Sequence, residues 1–273
     1  MTPSGFLAAA AVFSAAVSFA GSASAAEVGA ADLNDLPEAE IYVLGEIHDN
    51  PAHHLTQATV VGAGVAAVVF EMLTPQQAEG WQPGLAGDAA ALGKALQWSD
   101  GWPDFAIYYP IFEAIGDATV YGAALPREDV RQAISVGAAT VFGDGAGRFG
   151  LDLPLPAEET ALREADLNDA HCGALPVEML PGMLEAQRLR DAAFARAAVL
   201  ALEETGGPVA VITGNGHARR DWGMPRALAT AAPDVSVLSL GQFETTAPDA
   251  PPFDVWVVTD PAERDDPCAA FAG

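Results

Sequence analysis

The sequence predicts an α/β fold, a mainly parallel sheet flanked by helices, with a helical subdomain. Short apolar runs, typical of strands buried on both faces, alternate along the chain with longer segments of helical character. At 273 residues, of which 51% are hydrophobic, the chain can bury the core of one large domain. The predicted strands are residues 41–44, 66–70, 119–123, 208–213, 235–240 and 253–258.

Helices are predicted between these strands, and local signals mark some of their ends. Asn50 or Asp49 can cap a helix that begins at Pro51, and Gly206-Gly207 provides a stop after residue 205. The glycine-rich run 143–150 does not link a strand to a helix in the phosphate-binding manner, so we interpret it as a loop. The predicted helices are 51–65, 75–97 with a break at Pro83-Gly84, 128–140, 157–172, 181–205 and a short one near Pro225.

Residues 1–25 have the features of a signal peptide, and residues 26–273 are predicted to form a single domain with helical insertions at about 75–118 and 128–205. The apolar run 6–19 is short for a membrane span, and Ala23-Ser24-Ala25 fits a cleavage site. No Cys lies nearby to carry a lipid. We therefore expect an exported protein, periplasmic or secreted, with no stable membrane anchor.

The charge balance and the cysteines set further expectations. A formal net charge of −25, from 37 acidic against 12 basic residues, argues against nucleic acid as a partner. Cys172 and Cys268 form a disulfide or remain two unpaired thiols, and the spacing alone does not decide between these outcomes. The acidic tail after residue 258 is expected to be loose.

A cluster of polar residues directly follows the first predicted strand. Three of the five histidines lie there, and His53 and Gln57 share a face of the following helix. Partial positive charge at a helix N-terminus favours the neutral, ligating form of histidine. The cluster consists of Glu46, His48, Asp49, His53, His54 and Gln57.

Polar residues follow the other predicted strands as well. Glu71 follows the second strand, Arg127 the third, and His217 with Arg219 and Arg220 the fourth. Because parallel strands end at one edge of the sheet, these four connections should converge on one cleft. The aromatic stretch 98–112, which contains Tyr108 and Tyr109, is either core packing or the wall of a site for a flat apolar ligand.

The segments GEIHDNPAHH and GNGHARRDWGMP together resemble the ChaN-like family, haem-binding uptake proteins of the Tiki superfamily. The resemblance continues through Phe70-Glu71-Met72, GWPDF, LPRE, His171-Cys172 and AQRLRDAAFA, and covers residues 40 to about 240. It implies an α/β fold with a helical subdomain and a haem site, shared across a homodimer. Members of this family are often lipoproteins, and this chain lacks the cysteine that would carry the lipid.

The resemblance makes haem binding in iron acquisition the first hypothesis. Haem requires an apolar slot, an iron ligand and cations for two propionates. The ligand would be Tyr108 or Tyr109 as phenolate, or a histidine. The candidate histidines are His48, His53, His54 and His217. The propionates would bind Arg127, Arg190, Arg219 and Arg220, unless these arginines instead pair with buried acids such as Glu46, Glu71 or Asp191.

A metal-dependent hydrolase is the second hypothesis. Glu46, His48 and His217, with His53 or Glu71, would hold a divalent Zn, Mn or Co ion. A free carboxylate, Glu46 or Glu71, would then act as general base on a bound water. The third interpretation is that the cluster is a buried polar network that joins the two halves of the sheet.

Overall fold

The computed structural model describes residues 25–266 and 268–269. Within them, seven strands form one sheet in which every pairing is parallel, in the order β1-β7-β6-β2-β5-β3-β4. The α/β fold is therefore confirmed. The strands are β1 Ala26–Glu27, β2 Ile41–Glu46, β3 Ala67–Phe70, β4 Thr119–Gly122, β5 Val209–Gly214, β6 Val237–Glu244 and β7 Val255–Thr259.

Helices connect these strands and cover both faces of the sheet. The connection between β4 and β5 is the longest, because it contains several helices. The helices are α1 Pro51–Gly62, α2 Pro75–Ala78, α3 Ala89–Ala95, α4 Phe105–Ala114, α5 Arg127–Val136, α6 Ala138–Phe142, α7 Ala157–Ala170, α8 Leu180–Thr205, α9 Asn215–Ala218 and α10 Met224–Ala231.

Alternate residues of the central strands enter two separate cores. In β2, Ile41 and Val43 join the core that contains α8, whereas Leu44 joins the core that contains α1 and α4. Successive side chains of a strand point to opposite faces, so a run of apolar residues fills both cores. The direction of each polar residue at a strand end follows from the same alternation.

The path of the chain reverses beside β2. After β4 the chain returns to place β5 between β2 and β3, and it then continues on the far side of β2 with β6 and β7. Ligands of parallel α/β sheets bind beyond the carboxyl ends of the strands where such a reversal occurs. The ends of β2 and β5 are adjacent, since Glu46 is in register with Gly214.

Some predicted helices are divided in the structure. The helix expected over 128–140 is broken at Gly137, which has a φ of +87° and separates α5 from α6. Only glycine adopts this conformation at little cost. The helix expected over 75–97 becomes α2, a 3₁₀ turn at Pro83–Leu85 and α3. The sequence patterns do not predict two short elements, β1 and α9.

The expectation of a loose tail is wrong for residues 260–266, which are held to the end of the sheet. Arg264 forms ion pairs with Asp49 and Glu244, with nitrogen–oxygen distances of 2.6 Å in each. Cys268 forms a disulfide with Cys172, with the Cα atoms 5.5 Å apart. The predicted signal peptide, apart from Ala25, lies outside the described residues. None of the described helices combines the length and apolar character of a membrane span.

Candidate functional site

The loop between β2 and α1 follows Glu46 and ends with Asn50. Asn50 caps α1, because its side chain accepts a hydrogen bond from the backbone nitrogen of Ala52 at 2.9 Å. Pro51 fills the first helical position, where its missing N–H is not needed. The cap fixes where the helix starts, and therefore holds the short loop that carries His48 at the end of the sheet.

Glu46 is the centre of a buried hydrogen-bonded group on the α1 and α4 side of the sheet. Its Oε1 accepts the hydroxyl of Tyr108 at 2.6 Å and lies 2.7 Å from Nδ1 of His48. Its Oε2 lies 3.5 Å from Nε2 of His54, and neither atom has a hydrogen-bond partner among the described residues. This long contact is therefore important for both atoms, because a buried polar atom without any partner costs free energy.

The charges of this group stabilise one another. Burial alone would raise the pKa of Glu46, but the hydrogen bond from His48 and the proximity of His54 lower it to about 2. Burial would lower the pKa of His48, but Glu46 and the nearby charge of Glu71 raise it to about 9. Burial beside the Glu46 charge raises the pKa of Tyr108. Free His48 is therefore an imidazolium paired with a carboxylate at neutral pH.

Glu71 is the centre of a second buried group, on the α8 side of the sheet. Its Oε2 accepts the hydroxyl of Thr213 at 2.6 Å and the backbone N–H of Gly214 at 2.9 Å. Its Oε1 lies 3.8 Å from Nε2 of His217, whose Nδ1 lies 2.7 Å from Oδ1 of Asp191. Burial would raise the pKa of Glu71, but the charges of His217 and His48 lower it.

This second group continues towards the surface through an arginine. Burial raises the pKa of Asp191, a shift that its hydrogen bond with His217 opposes. Nη2 of Arg163 lies 3.5 Å from Oδ2 of Asp191, and the guanidinium also pairs with Glu159. The acids and bases therefore alternate from Glu71 outwards, which leaves few buried charges unpaired.

Two segments of the form GxxH, residues 45–48 (the first) and residues 214–217 (the second), interlock at the ends of β2 and β5. A methyl group added at Gly45 would lie 2.4 Å from Oδ1 of Asn215, and one added at Gly214 would lie 2.9 Å from Nε2 of His48. Each glycine therefore leaves space for a side chain of the other segment. Glycine is required here for close approach, since both residues have ordinary backbone angles for an extended chain.

An open cavity of about 360 Å³ lies at this edge of the sheet, with Glu71 in its lining. Trp102 and Phe194 contribute apolar surface, and the Trp102 ring centroid is 5.0 Å from that of His48. Arg127 and Arg190 also line the cavity. Within the described part of the chain neither arginine forms an ion pair, in contrast to most other arginines of this acidic protein.

The lining of this cavity contains none of the three histidines that follow β2, and His53 and His54 are fully buried in α1. Nδ1 of His53 accepts the N–H of Ile47 at 2.9 Å, and its Nε2 lies 3.0 Å from Oγ1 of Thr259. Burial lowers its pKa to about 4. His53 therefore fastens the loop to the end of β7 with both ring nitrogens. The buried ring of His54 packs 3.9 Å from that of Tyr108.

The tyrosines and the remaining arginines already have partners. The hydroxyl of Tyr109 donates to the carbonyl of Ala86 at 2.5 Å, so both predicted tyrosines use their hydroxyl groups inside the fold. Arg219 pairs with Asp221, 2.7 Å away, and Arg220 pairs with Asp254. Ordinary ion pairing therefore accounts for Arg219 and Arg220, although their partners are not the buried acids considered from the sequence.

Sequence reasoning did not single out two residues that complete the arrangement. Arg163 neutralises Asp191, and the ring of Phe194 packs 4.9 Å from that of His217. A signal for the second existed, because Arg190, Asp191 and Phe194 lie within about one turn of α8. In the part of the chain that the structure describes, no group of three or more His, Cys, Asp or Glu side chains is arranged to hold a metal ion.

Comparisons with known proteins agree with this architecture. A family model described as haem-binding uptake, Tiki superfamily, ChaN, matches residues 33–228. Among solved structures, one of cofacial haem binding to ChaN of Campylobacter jejuni is similar with a TM-score of 0.58 and 18% identity, over 77% of this chain and 84% of that chain. At this identity the similarity shows a shared fold.

Weaker structural similarities were also found. The type III effector HopBA1 gives a TM-score of 0.45 and 14% identity over 85% of this chain and 92% of that chain. An erythromycin esterase variant in its open conformation gives 0.42 and 13%, over 79% and 74%. No curated protein sequence matches the chain. The family match, which spans most of the domain, shows that the chain belongs to the ChaN family of haem-binding uptake proteins in the Tiki superfamily.

Proposed function

We propose that the protein binds haem in the cavity beside His48, as part of iron or haem acquisition. The observation that carries the proposal is the lining of this cavity, which combines aromatic surface with two arginines that have no ion-pair partner among the described residues. The ring of His48 packs against Trp102 of this lining, with the ring centroids 5.0 Å apart. A porphyrin offers an apolar ring, two carboxylates and an iron ion, so each part of the ligand meets a matching part of the site. Family membership supports the same ligand.

His48 is the iron ligand in this proposal. Its side chain is 36% exposed, and its Nδ1 is held by Glu46 while Nε2 has no hydrogen-bond partner among the described residues. A carboxylate on the far nitrogen orients a ligating imidazole and increases its basicity. Tyr108 and Tyr109 fit this role less well, because the fold already uses their hydroxyl groups.

Arg127 and Arg190 bind the propionates in this proposal. Their guanidinium groups present forked N–H donors that match carboxylates. In a chain with a net charge of −25, arginines that lack acidic partners within the described residues and lie beside a cavity are a specific arrangement. Bound haem would supply an iron ion as cargo, while the protein supplies the apolar walls, the cations and the imidazole.

We also propose that a second copy of the chain completes the haem site. The cavity is open, and its volume of about 360 Å³ lies at the lower end of the roughly 300–1,000 Å³ of small-molecule sites. A porphyrin bound there would keep one face in solvent, which a homodimer would cover. The cofacial haem binding of ChaN from C. jejuni supports a paired arrangement.

Titration of the purified domain with ferric haem tests the proposal. We expect a saturable Soret band, and a loss of affinity of about 10–100-fold in His48→Ala. His171→Gln is the control, because His171 caps the C-terminal end of α7 and does not line the cavity. A Soret band that does not saturate would refute haem binding. A Soret band and an affinity that are unchanged in His48→Ala would refute His48 as the iron ligand. Light scattering with and without haem tests the dimer.

Export is tested separately. We propose a periplasmic or secreted location with cleavage after residue 25, supported by the apolar run and the small residues before that position. Fractionation of cells that express the full chain, with N-terminal sequencing of the product, should find the mature form outside the cytoplasm. Recovery of the intact chain in the cytoplasm would exclude this location.

A metal-dependent hydrolase is the second candidate, and one observation favours it. Oε2 of Glu46 is buried without a hydrogen-bond partner in the described chain. A carboxylate oxygen in this state can bind a cation or a protonated group. Glu46, His48 and His217 would hold a Zn, Mn or Co ion, with Glu71 as general base. Elemental analysis and calorimetric titration with each ion test this candidate. Absence of binding by all three ions would exclude it.

A further inference from the structure

Helix α7 covers the second GxxH segment. Arg163, Asp166 and Leu167 of α7 line one side of a small cavity of about 50 Å³, and Gly216 and His217 line the other. His217 is only 7% exposed in this arrangement. Access to His217 from this side of the molecule therefore requires α7 to move.

The packing of α7 is weaker than that of the central helices. Leu167 belongs to a small apolar cluster with Leu180 and Leu184, which is separate from the two large cores. The remaining attachments of α7 are charged, and they join Arg163 to Asp191 and other α7 side chains to Arg219 and Arg226. An element with few buried apolar contacts opens locally at a lower free energy than the core.

A disulfide fastens the end of α7 to the C-terminal segment. Cys172 follows α7 by two residues and is bonded to Cys268, and both are half-buried. The C-terminal segment is itself held by Arg264, which contacts both carboxylate oxygens of Asp49 in the β2–α1 loop. The C-terminal segment therefore links α7, which covers the second GxxH segment, to the β2–α1 loop, which carries the first.

We propose that α7 is a lid over His217 and that the Cys172–Cys268 disulfide is its latch. A dithiol opens the latch by exchange: the S–S bond breaks, each cysteine becomes a thiol, and the dithiol supplies two electrons and two protons as it becomes a disulfide. Among the described residues, release of the latch leaves α7 held by its small apolar cluster, its ion pairs and the packing of Arg163 over the ring of Trp222, 5.8 Å away. The lid then opens, and His217 and Asp191 become accessible.

The test uses the apo protein, so its outcome is independent of haem binding. Oxidised protein, protein reduced with dithiothreitol and the double variant Cys172→Ser/Cys268→Ser are compared. Amide hydrogen exchange is measured for residues 157–171, and modification of each histidine by diethyl pyrocarbonate is measured by mass spectrometry. We expect exchange in α7 and modification of His217 to be at least about tenfold faster in the reduced protein and in the double variant.

His53 and the double variant provide the controls. His53 is buried on the other side of the sheet, so its modification should not change when the latch opens. Dithiothreitol should have no further effect on the double variant. Equal rates of His217 modification in the oxidised and reduced protein would overturn the proposal. Equal acceleration at His53 and His217 would also overturn it, because the disulfide would then stabilise the whole domain rather than a lid.

Discussion

Glu46 and Glu71 lie at the ends of the two strands that flank β5, but they face opposite sides of the sheet. Glu46 enters the side of α1 and α4, and Glu71 the side of α8. Glu71 accepts two hydrogen bonds from Thr213 and Gly214 on the neighbouring strand, whereas one oxygen of Glu46 has no hydrogen-bond partner in the described chain. Glu71 is therefore part of the hydrogen-bonded framework of the sheet, whereas Glu46 holds His48, whose ring packs against Trp102 of the cavity wall.

The largest expected effect is on folding stability in Glu71→Ala. The change would leave the buried hydroxyl of Thr213 and the N–H of Gly214 without an acceptor, each at about 1–3 kcal/mol, for a total of about 2–6 kcal/mol. Urea denaturation monitored by circular dichroism measures the loss. Glu46→Gln should be clearly less destabilising, and an equal loss in both variants would remove the distinction between the two groups.

Haem affinity should show the opposite order. Glu46→Gln removes the charge that orients His48, so we expect the affinity for ferric haem to fall by about 10–100-fold. Glu71→Gln keeps an oxygen that can accept both hydrogen bonds, so it should lower the affinity clearly less than Glu46→Gln does. Soret titrations of the two variants provide the measurement, and equal losses would contradict the assignment of Glu46 as the positioning residue.

A methyl group at Gly214 tests the position of His48 without removing a charge. It would lie 2.9 Å from Nε2 of His48, so the imidazole must shift. We expect Gly214→Ala to lower haem affinity by about tenfold, at the lower end of the range for misplaced ligands. Gly216→Ala in the same segment is the matched control, because that methyl group would meet no atom within 4 Å. Similar affinities for the two variants would place His48 outside the haem site.

The smallest effect concerns Glu244, a carboxylate that is partly buried, in contrast to the buried Glu46 and Glu71. Hydrogen bonds from Arg264 lower the pKa of Glu244 from its ordinary value of 4.5 to about 2. The stability from this pair is thus present above pH 4.5 and lost as the pH falls towards 2. Denaturation curves of wild type and Arg264→Gln should converge over this interval, and should also converge at high salt. A difference that persists at about pH 2 would show another role for Arg264.

Local sequence signals were sufficient for much of the site. The apolar run 41–44 lies within β2, and Asn50 and Pro51 mark the start of α1 as expected. The grouping of Glu46, Glu71 and His217 at one edge followed from the parallel sheet. The alternation of a strand could also have assigned Glu46 and Glu71 to opposite faces, because they have opposite parity relative to the core residues of their strands.

The α/β architecture, the family and the edge of the sheet at which the polar residues collect were predictable from the amino-acid sequence, because strand periodicity, caps and glycines act over a few residues. Which of these residues lack a partner in the described chain became visible in the folded structure. Residues from distant parts of the chain bind His53 and Arg220, and the nearby Asp221 binds Arg219. By contrast, the cavity residues Arg127 and Arg190 have no ion-pair partner within the described chain. Hydrogen bonding and ion pairing between distant segments depend on how the helices pack, and spacing along the chain does not encode that packing.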